Sequence, residues 1–254
     1  MSLDIDRGGK NEPRRFTIVG LWGRYIFKPQ SSSYPHLPEL EDVTMKMAGL
    51  AGIKVAEHSL IRLSDGELGY ITRRMDRTPS GKKVSMLDFC QLSNRLTEHK
   101  YFGTYRQLAH TVKQFSSAPL LDLQRFWELV LFSWITGNSD MHCKNFSLLD
   151  IGNREYVLSP AYDLLSVALA DPSDPEEMAL TFETDGKKWG FTRDTFVEAM
   201  TDTGLSRASA DMIIRRMQST LPEWMQILED SFLPESLRQE YILLIKRRLA
   251  VLAQ

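Results

Sequence analysis

The sequence predicts an α+β fold in two lobes, a small β-rich N-terminal lobe over residues 1–77 and a larger, mainly helical C-terminal lobe over residues 78–254. Three observations carry this. Short alternating apolar runs bounded by turn residues crowd the first part of the chain, helical periodicity dominates the rest, and the loop Thr78-Pro79-Ser80-Gly81-Lys82-Lys83 marks the change of texture between them. At 254 residues the chain is long enough for a small lobe and a larger one, each with a core.

The elements follow in order. Arg15–Lys28 alternates around Gly20 and Gly23 and reads as a hairpin. Leu37–Leu50 places Leu40, Val43, Thr44, Met47 and Leu50 at helical spacing, and Gly52 is a natural stop. His58–Leu63 and Leu68–Arg73 flank the turn Ser64-Asp65-Gly66 as a second hairpin. Tyr105–Phe115 and Leu120–Thr136 read as buried or amphipathic helices, the second closed by Gly137. A short hairpin over Asn145–Val157 turns at Asp150-Ile151-Gly152-Asn153. Helices near Arg193–Thr201, Ala208–Leu228 and Pro234–Leu252 complete the chain, with a break expected at Pro222.

Composition narrows the function. A net charge of -2 provides no basic field of the kind that sequence-independent nucleic-acid binding uses, so no direct nucleic-acid contact is expected. The longest apolar stretch, Phe126–Ile135, is interrupted by Glu128 and falls short of the ~20 residues that span a bilayer. Met1–Asn11 is polar and charged, unlike a secretory signal. Two cysteines, Cys90 and Cys143, suit a reducing cytoplasm rather than a disulfide framework, so the expected location is cytoplasmic.

Chemistry concentrates behind the apolar helix, in Gly137-Asn138-Ser139-Asp140-Met141-His142-Cys143-Lys144-Asn145. Asp140 and Asn145 have the D-x-x-x-x-N spacing of a protein-kinase catalytic loop, in which the Asp accepts the acceptor hydroxyl's proton and the Asn holds a metal ion. An Asp- and Asn-rich turn has the same composition for reasons of local hydrogen bonding. Tyr162-Asp163-Leu164 follows the short hairpin, where a kinase carries its second metal-binding carboxylate; Asp163 also suits a helix N-cap. Tyr25-Ile26-Phe27-Lys28 is a strand ending in Lys, as in the V-A-I-K motif, and Glu41 is its natural ion-pair partner, with Glu39 and Asp42 competing. The order of these features along the chain is kinase-like.

The segments GNSDMHCKNFSLL and LSPAYDLLSV closely resemble the HipA family of bacterial toxin serine/threonine kinases. The resemblance extends through Ile26–Pro29, Glu41–Met45, Ile71–Arg77 and Met178–Thr181 and covers roughly Phe16 to Leu252. It implies a protein-kinase-like fold that uses ATP and Mg2+, with Asp140 as catalytic base, Asn145 and Asp163 as metal ligands and Lys28 as the phosphate-contacting lysine. It further implies that His142 and Lys144 lie beside the phosphates. Arg73–Asp76 would form the hinge between lobes, with backbone groups for adenine and Asp76 for the ribose, and Ile26, Met75 and Tyr162 would be apolar walls. The implied activity is transfer of the ATP γ-phosphoryl to a cytoplasmic protein such as an aminoacyl-tRNA synthetase, within a toxin–antitoxin system that includes a helix-turn-helix antitoxin.

Ser2–Asp6 resembles the family strand that follows the phosphate loop, with Gly8-Gly9-Lys10 as a hairpin turn after it, but the glycine- and serine-containing loop itself, which carries a regulatory autophosphorylated serine, has no match before it. The expectation is therefore a kinase core either truncated or divided between two proteins, in the second case with a separate small protein supplying the N-terminal part. Two other readings stay open, a lipid or small-molecule phosphotransferase and a nucleotide-binding pseudokinase that holds an antitoxin.

Overall fold

The computed structural model describes residues 1–6, 15–19, 23–184 and 186–254. Its first layer is a five-stranded antiparallel sheet of β1 (Ser2–Asp6), β2 (Arg15–Ile18), β3 (Tyr25–Lys28), β4 (His58–Arg62) and β5 (Leu68–Arg73), in the order β2-β1-β3-β5-β4. That order corrects one expectation. Arg15–Lys28 is not a hairpin, because β1 lies between β2 and β3 and pairs Leu3 with Ile18 on one side and Ser2 with Ile26 on the other. Alternation marks a run as a strand but does not say which neighbour it pairs with. The β4–β5 hairpin forms as expected, with Leu60 opposite Tyr70. Gly20 and the expected turn Gly8-Gly9-Lys10 lie outside the described residues.

Successive strand residues point to opposite faces. Phe27 and Ile71 therefore join Leu3 in a small apolar cluster on one face, while Ile26 and Lys28 share the other face with their cross-strand partners Thr72 and Tyr70. Gly69 makes room for Phe27, whose ring would lie 2.3 Å from a Cβ built there.

Helix α1 (Leu37–Leu50) packs against this sheet and buries Leu40, Val43, Thr44 and Met47, whereas Leu50 is exposed in its last turn. The chain leaves it through Gly52 at φ +81°. Two hydrogen bonds tie α1 to the far end of the sequence. Trp224 Nε1 donates to the Met47 carbonyl at 2.8 Å, and the hydroxyls of Thr44 and Tyr241 are 2.7 Å apart. The charged residues of α1 are thus positioned by both halves of the molecule.

The remainder is mainly helical: β6 (Met86–Asp88), α2 (Phe89–Leu92), α3 (Tyr105–Phe115), α4 (Pro119–Ile135), β7 (Ser147–Asp150), β8 (Tyr156–Leu158), α5 (Val167–Ala170), α6 (Arg193–Asp202), α7 (Arg207–Ser219), α8 (Leu221–Glu229) and α9 (Glu235–Leu252). The expected short hairpin is β7–β8, extended by β6 into a sheet of order β6-β7-β8. Three residues are too few for β6 to leave a periodic signal. Phe126, Trp127, Val130, Phe132 and Trp134 are all buried, so α4 is covered on every side from Phe126 onward, as a helix apolar around its circumference requires, while Leu120 and Leu121 in its first turn are exposed. Its Glu128 is buried against Arg216 at 2.6 Å. The break expected at Pro222 separates α7 from α8, with Pro222 in the first turn of α8. Cys90 and Cys143 are free and buried. No described helix is long and apolar enough to cross a membrane.

Candidate active site

The loop behind α4 is shaped by how that helix ends. Gly137 at φ +72° lets its own N–H reach the Trp134 carbonyl at 3.1 Å and the Asn138 N–H reach Ser133 at 2.8 Å. A Cβ at Gly137 would come within 2.7 Å of Leu244 and 2.9 Å of Ala168, so both conformation and space call for glycine. Beyond it the Asp140 carbonyl accepts from the His142 N–H at 2.8 Å and from Asn145 Nδ2 at 2.9 Å. The D-x-x-x-x-N spacing is thus closed into a ring, and Oδ1 is the atom of Asn145 left for ligation. The Asp140 carboxylate accepts from the Tyr101 hydroxyl at 2.6 Å and lies 3.8 Å from His142 Nε2. Burial holds the His142 imidazole below its ordinary pKa, with Asp140 pulling the other way.

Between the five-stranded sheet and the helical part is a cleft of about 420 Å3. Ile26, Lys28, Glu41, Arg73, Met75, Asp76, Lys144, Tyr162 and Asp163 line it. Asp140, His142 and Asn145 are not among its lining residues, although they share a loop with Lys144, which is. Lys28 Nζ donates to both Glu41 oxygens at 2.8 Å and pairs with Asp163, joining β3, α1 and the segment after β8. Glu41 is the partner, because Glu39 accepts from Gln30 and Asp42 pairs with Lys46 at 2.7 Å. Burial pushes the Glu41 carboxyl up to about 7 against the pull of Lys28. Burial would lower the Lys28 ammonium, but Glu41 and Asp163 together raise it. Asp163 sits at φ +59°, in the left-handed region that Asp tolerates better than most residues. Ser166, not Asp163, is the N-cap of α5, which removes the helix-cap alternative.

Several of the other expected residues are engaged within the protein. Burial opposes the charge of Asp76, but Arg74, with contacts at 2.9 and 2.8 Å, and Arg77, at 2.6 Å, hold its carboxyl below the usual range. In the expected hinge, the N–H groups of Arg73 and Arg74 donate to the Glu57 and Arg24 carbonyls, both at 2.8 Å. Lys144 pairs with Asp88 at 2.8 Å, and the Tyr162 hydroxyl donates to the Lys144 carbonyl at 2.8 Å. Sequence reasoning missed Met86, Asp88 and Gln91 in the cleft and Tyr101, which reaches Asp140 from the segment before α3. Asp88 and Gln91 form a capping box whose D-x-x-Q text announces the start of α2, but that text carries no sign of a cleft.

The donor set fits magnesium with a nucleotide. No described group of three or more His, Cys, Asp or Glu residues is arranged to hold a metal ion by itself. By chemical type, the carboxylate of Asp163 and the free amide oxygen of Asn145 are hard-oxygen donors of the kind that Mg2+ takes alongside phosphate oxygens and water. The cleft volume of about 420 Å3 falls in the ~300–1,000 Å3 range of small-molecule sites.

The family model for the HipA-like C-terminal domain matches residues 18–225. The chain belongs to that family. This HipA-like chain is 33% identical over 199 residues to Y4dM of Sinorhizobium fredii, whose name proposes a kinase; the match covers 74% of this chain and 48% of Y4dM. It is 28% identical over 172 residues to the serine/threonine-protein kinase toxin HipA of Shewanella oneidensis, covering 60% of this chain and 39% of the toxin. The HipA-like chain thus spans about half the length of Y4dM, or less in the case of the toxin. Among solved structures, a chain of the Shewanella oneidensis MR-1 complex of HipA, HipB and operator DNA matches with a TM-score of 0.79 at 20% identity, covering 100% of this chain and 63% of that one. The Helicobacter pylori proinflammatory kinase CtkA matches with a TM-score of 0.65 at 17% identity, covering 89% and 86%. The fold is the two-lobed, kinase-like α+β arrangement expected from the sequence.

Proposed function

We propose that the HipA-like chain is an ATP- and Mg2+-dependent serine/threonine protein kinase, with the lobe boundary near residue 77 and the nucleotide in the cleft between the lobes. The observation that carries this is the bridge from Lys28 to Glu41 and Asp163, which sets a cation and an exposed carboxylate together on one cleft whose wall is continuous with the Asp140–Asn145 loop. Asp163 and Asn145 would hold Mg2+, which supplies charge neutralisation at the phosphates. Lys28, held by Glu41, would contact the phosphates. Asp140, on the exposed side of its loop, orients the acceptor hydroxyl and takes its proton. The acceptor oxygen bonds to the γ-phosphorus as the bond to the β,γ-bridging oxygen breaks, and ADP leaves with that electron pair.

The finer reading is that the acceptor is a protein such as an aminoacyl-tRNA synthetase and that the kinase works within a toxin–antitoxin pair, with a helix-turn-helix protein as antitoxin. Support comes from the family and from the match to a HipA chain complexed with HipB and operator DNA. Calorimetry of ATP binding with and without Mg2+, on the parent and on Asp163→Ala, tests the site. Metal-dependent binding that the substitution abolishes is expected. Equal binding by both chains would place the metal elsewhere and sink the assignment.

A further inference from the structure

The proton-accepting oxygen of Asp140 already carries a hydroxyl, and the protein supplies it. Tyr101 donates to Asp140 Oδ1 at 2.6 Å, within the range of an ordinary O–H···O bond from a serine or threonine acceptor. Its ring is edge-on to His142 with centroids 5.0 Å apart, and it is 43% exposed, with Phe102 beside it 64% exposed. Tyr101 and Phe102 also form part of the wall of a groove of about 560 Å3 that runs to Thr104, Thr181 and Thr184. Burial and the bond to Asp140 raise the phenol well above its ordinary pKa, so it remains a donor.

We propose that Tyr101 is the specificity-determining gate of the acceptor site: its hydroxyl holds the place on Asp140 that the acceptor hydroxyl takes, and a polypeptide segment docking in the adjoining groove displaces it. The inference rests on reading Asp140 as the base of a kinase. One residue lines the groove and occupies the base, so filling the groove and freeing the base are the same movement. The segment that fits carries a serine or threonine hydroxyl and an apolar side chain to cover Phe102. A hydroxyl without such a segment, water included, meets a base already engaged, which restrains wasteful hydrolysis of ATP.

Tyr101→Phe removes only the oxygen and keeps the ring against His142. The test is turnover of Mg-ATP with water as acceptor, alongside ATP affinity by calorimetry, for the parent chain and the variant. Turnover in Tyr101→Phe is expected to rise roughly tenfold, the scale of one charge-assisted hydrogen bond, at unchanged affinity. Equal or lower turnover with ATP affinity intact would overturn the gate and leave Tyr101 as a positioning residue for Asp140. Absence of ATP binding from both chains would overturn the kinase reading, and the gate with it.

Discussion

The two sides of the proposed active site are built in opposite ways. The cleft side is assembled from distant segments through a charge bridge: Lys28, Glu41 and Asp163 come from a strand, a helix and a post-hairpin turn, and Glu41 is almost fully buried whereas Asp163 is exposed. The acceptor side is mainly one short loop held by its own backbone, with the Asp140 carbonyl bonded to His142 and Asn145 and the carboxylate turned outward to Tyr101. The difference teaches where each side is vulnerable. The cleft depends on the two halves of the molecule staying in register, whereas the loop depends on Gly137, on its own short-range hydrogen bonds and on a few tethers from elsewhere, such as Tyr105 donating to the Met141 carbonyl at 3.0 Å and Ser139 donating to Asp174 at 2.8 Å.

The largest expected effect separates chemistry from binding. Asp140→Asn keeps an oxygen for Tyr101 but removes the basicity, so phosphoryl transfer should fall by about 10²–10⁴-fold while calorimetric ATP affinity holds. A parallel loss of affinity would merge the two sides into one functional unit.

Next comes the buried carboxyl of the cleft. With its folded pKa raised from 4.5 to about 7, Glu41 holds a proton that the unfolded chain has released between those values. Its contribution to stability is therefore complete below pH 4.5 and is lost as pH rises through about 7. Chemical denaturation across that window should show the Glu41→Gln variant lacking a decline of up to about 1.4 kcal/mol per pH unit that the parent shows. Identical pH slopes would mean that Glu41 is ionised throughout, and would make the cleft electrostatically as ordinary as the loop.

The smallest effect concerns Lys144, which lies on the cleft wall but pairs with Asp88 across a partly exposed contact. Lys144→Ala should cost under about 1 kcal/mol in denaturant unfolding. A drop in ATP affinity larger than tenfold would instead return Lys144 to the phosphates.

Much of this is legible in the sequence. The span of α1, the β4–β5 and β7–β8 hairpins and the break at Pro222 follow from periodicity and turn chemistry, which act over a few residues. The Asp140–Asn145 loop was legible for the same reason, since its closing hydrogen bonds span only five positions. Pairing was not. Arg15–Lys28 reads as a hairpin until β1 is seen between its strands, and β6 is too short to register.

The amino-acid sequence by itself determined the succession of the longer elements, the Asp140–Asn145 spacing and the family to which the chain belongs. Only the tertiary structure decided that Lys28 takes Glu41 rather than Glu39 or Asp42, that Arg74 and Arg77 engage Asp76, and that Tyr101 rests on Asp140. The physical reason is one of range: torsional preference and local hydrogen bonding are set by neighbours in the chain, whereas the choice among several competent charged or hydroxyl partners depends on which of them packing brings within about 3 Å.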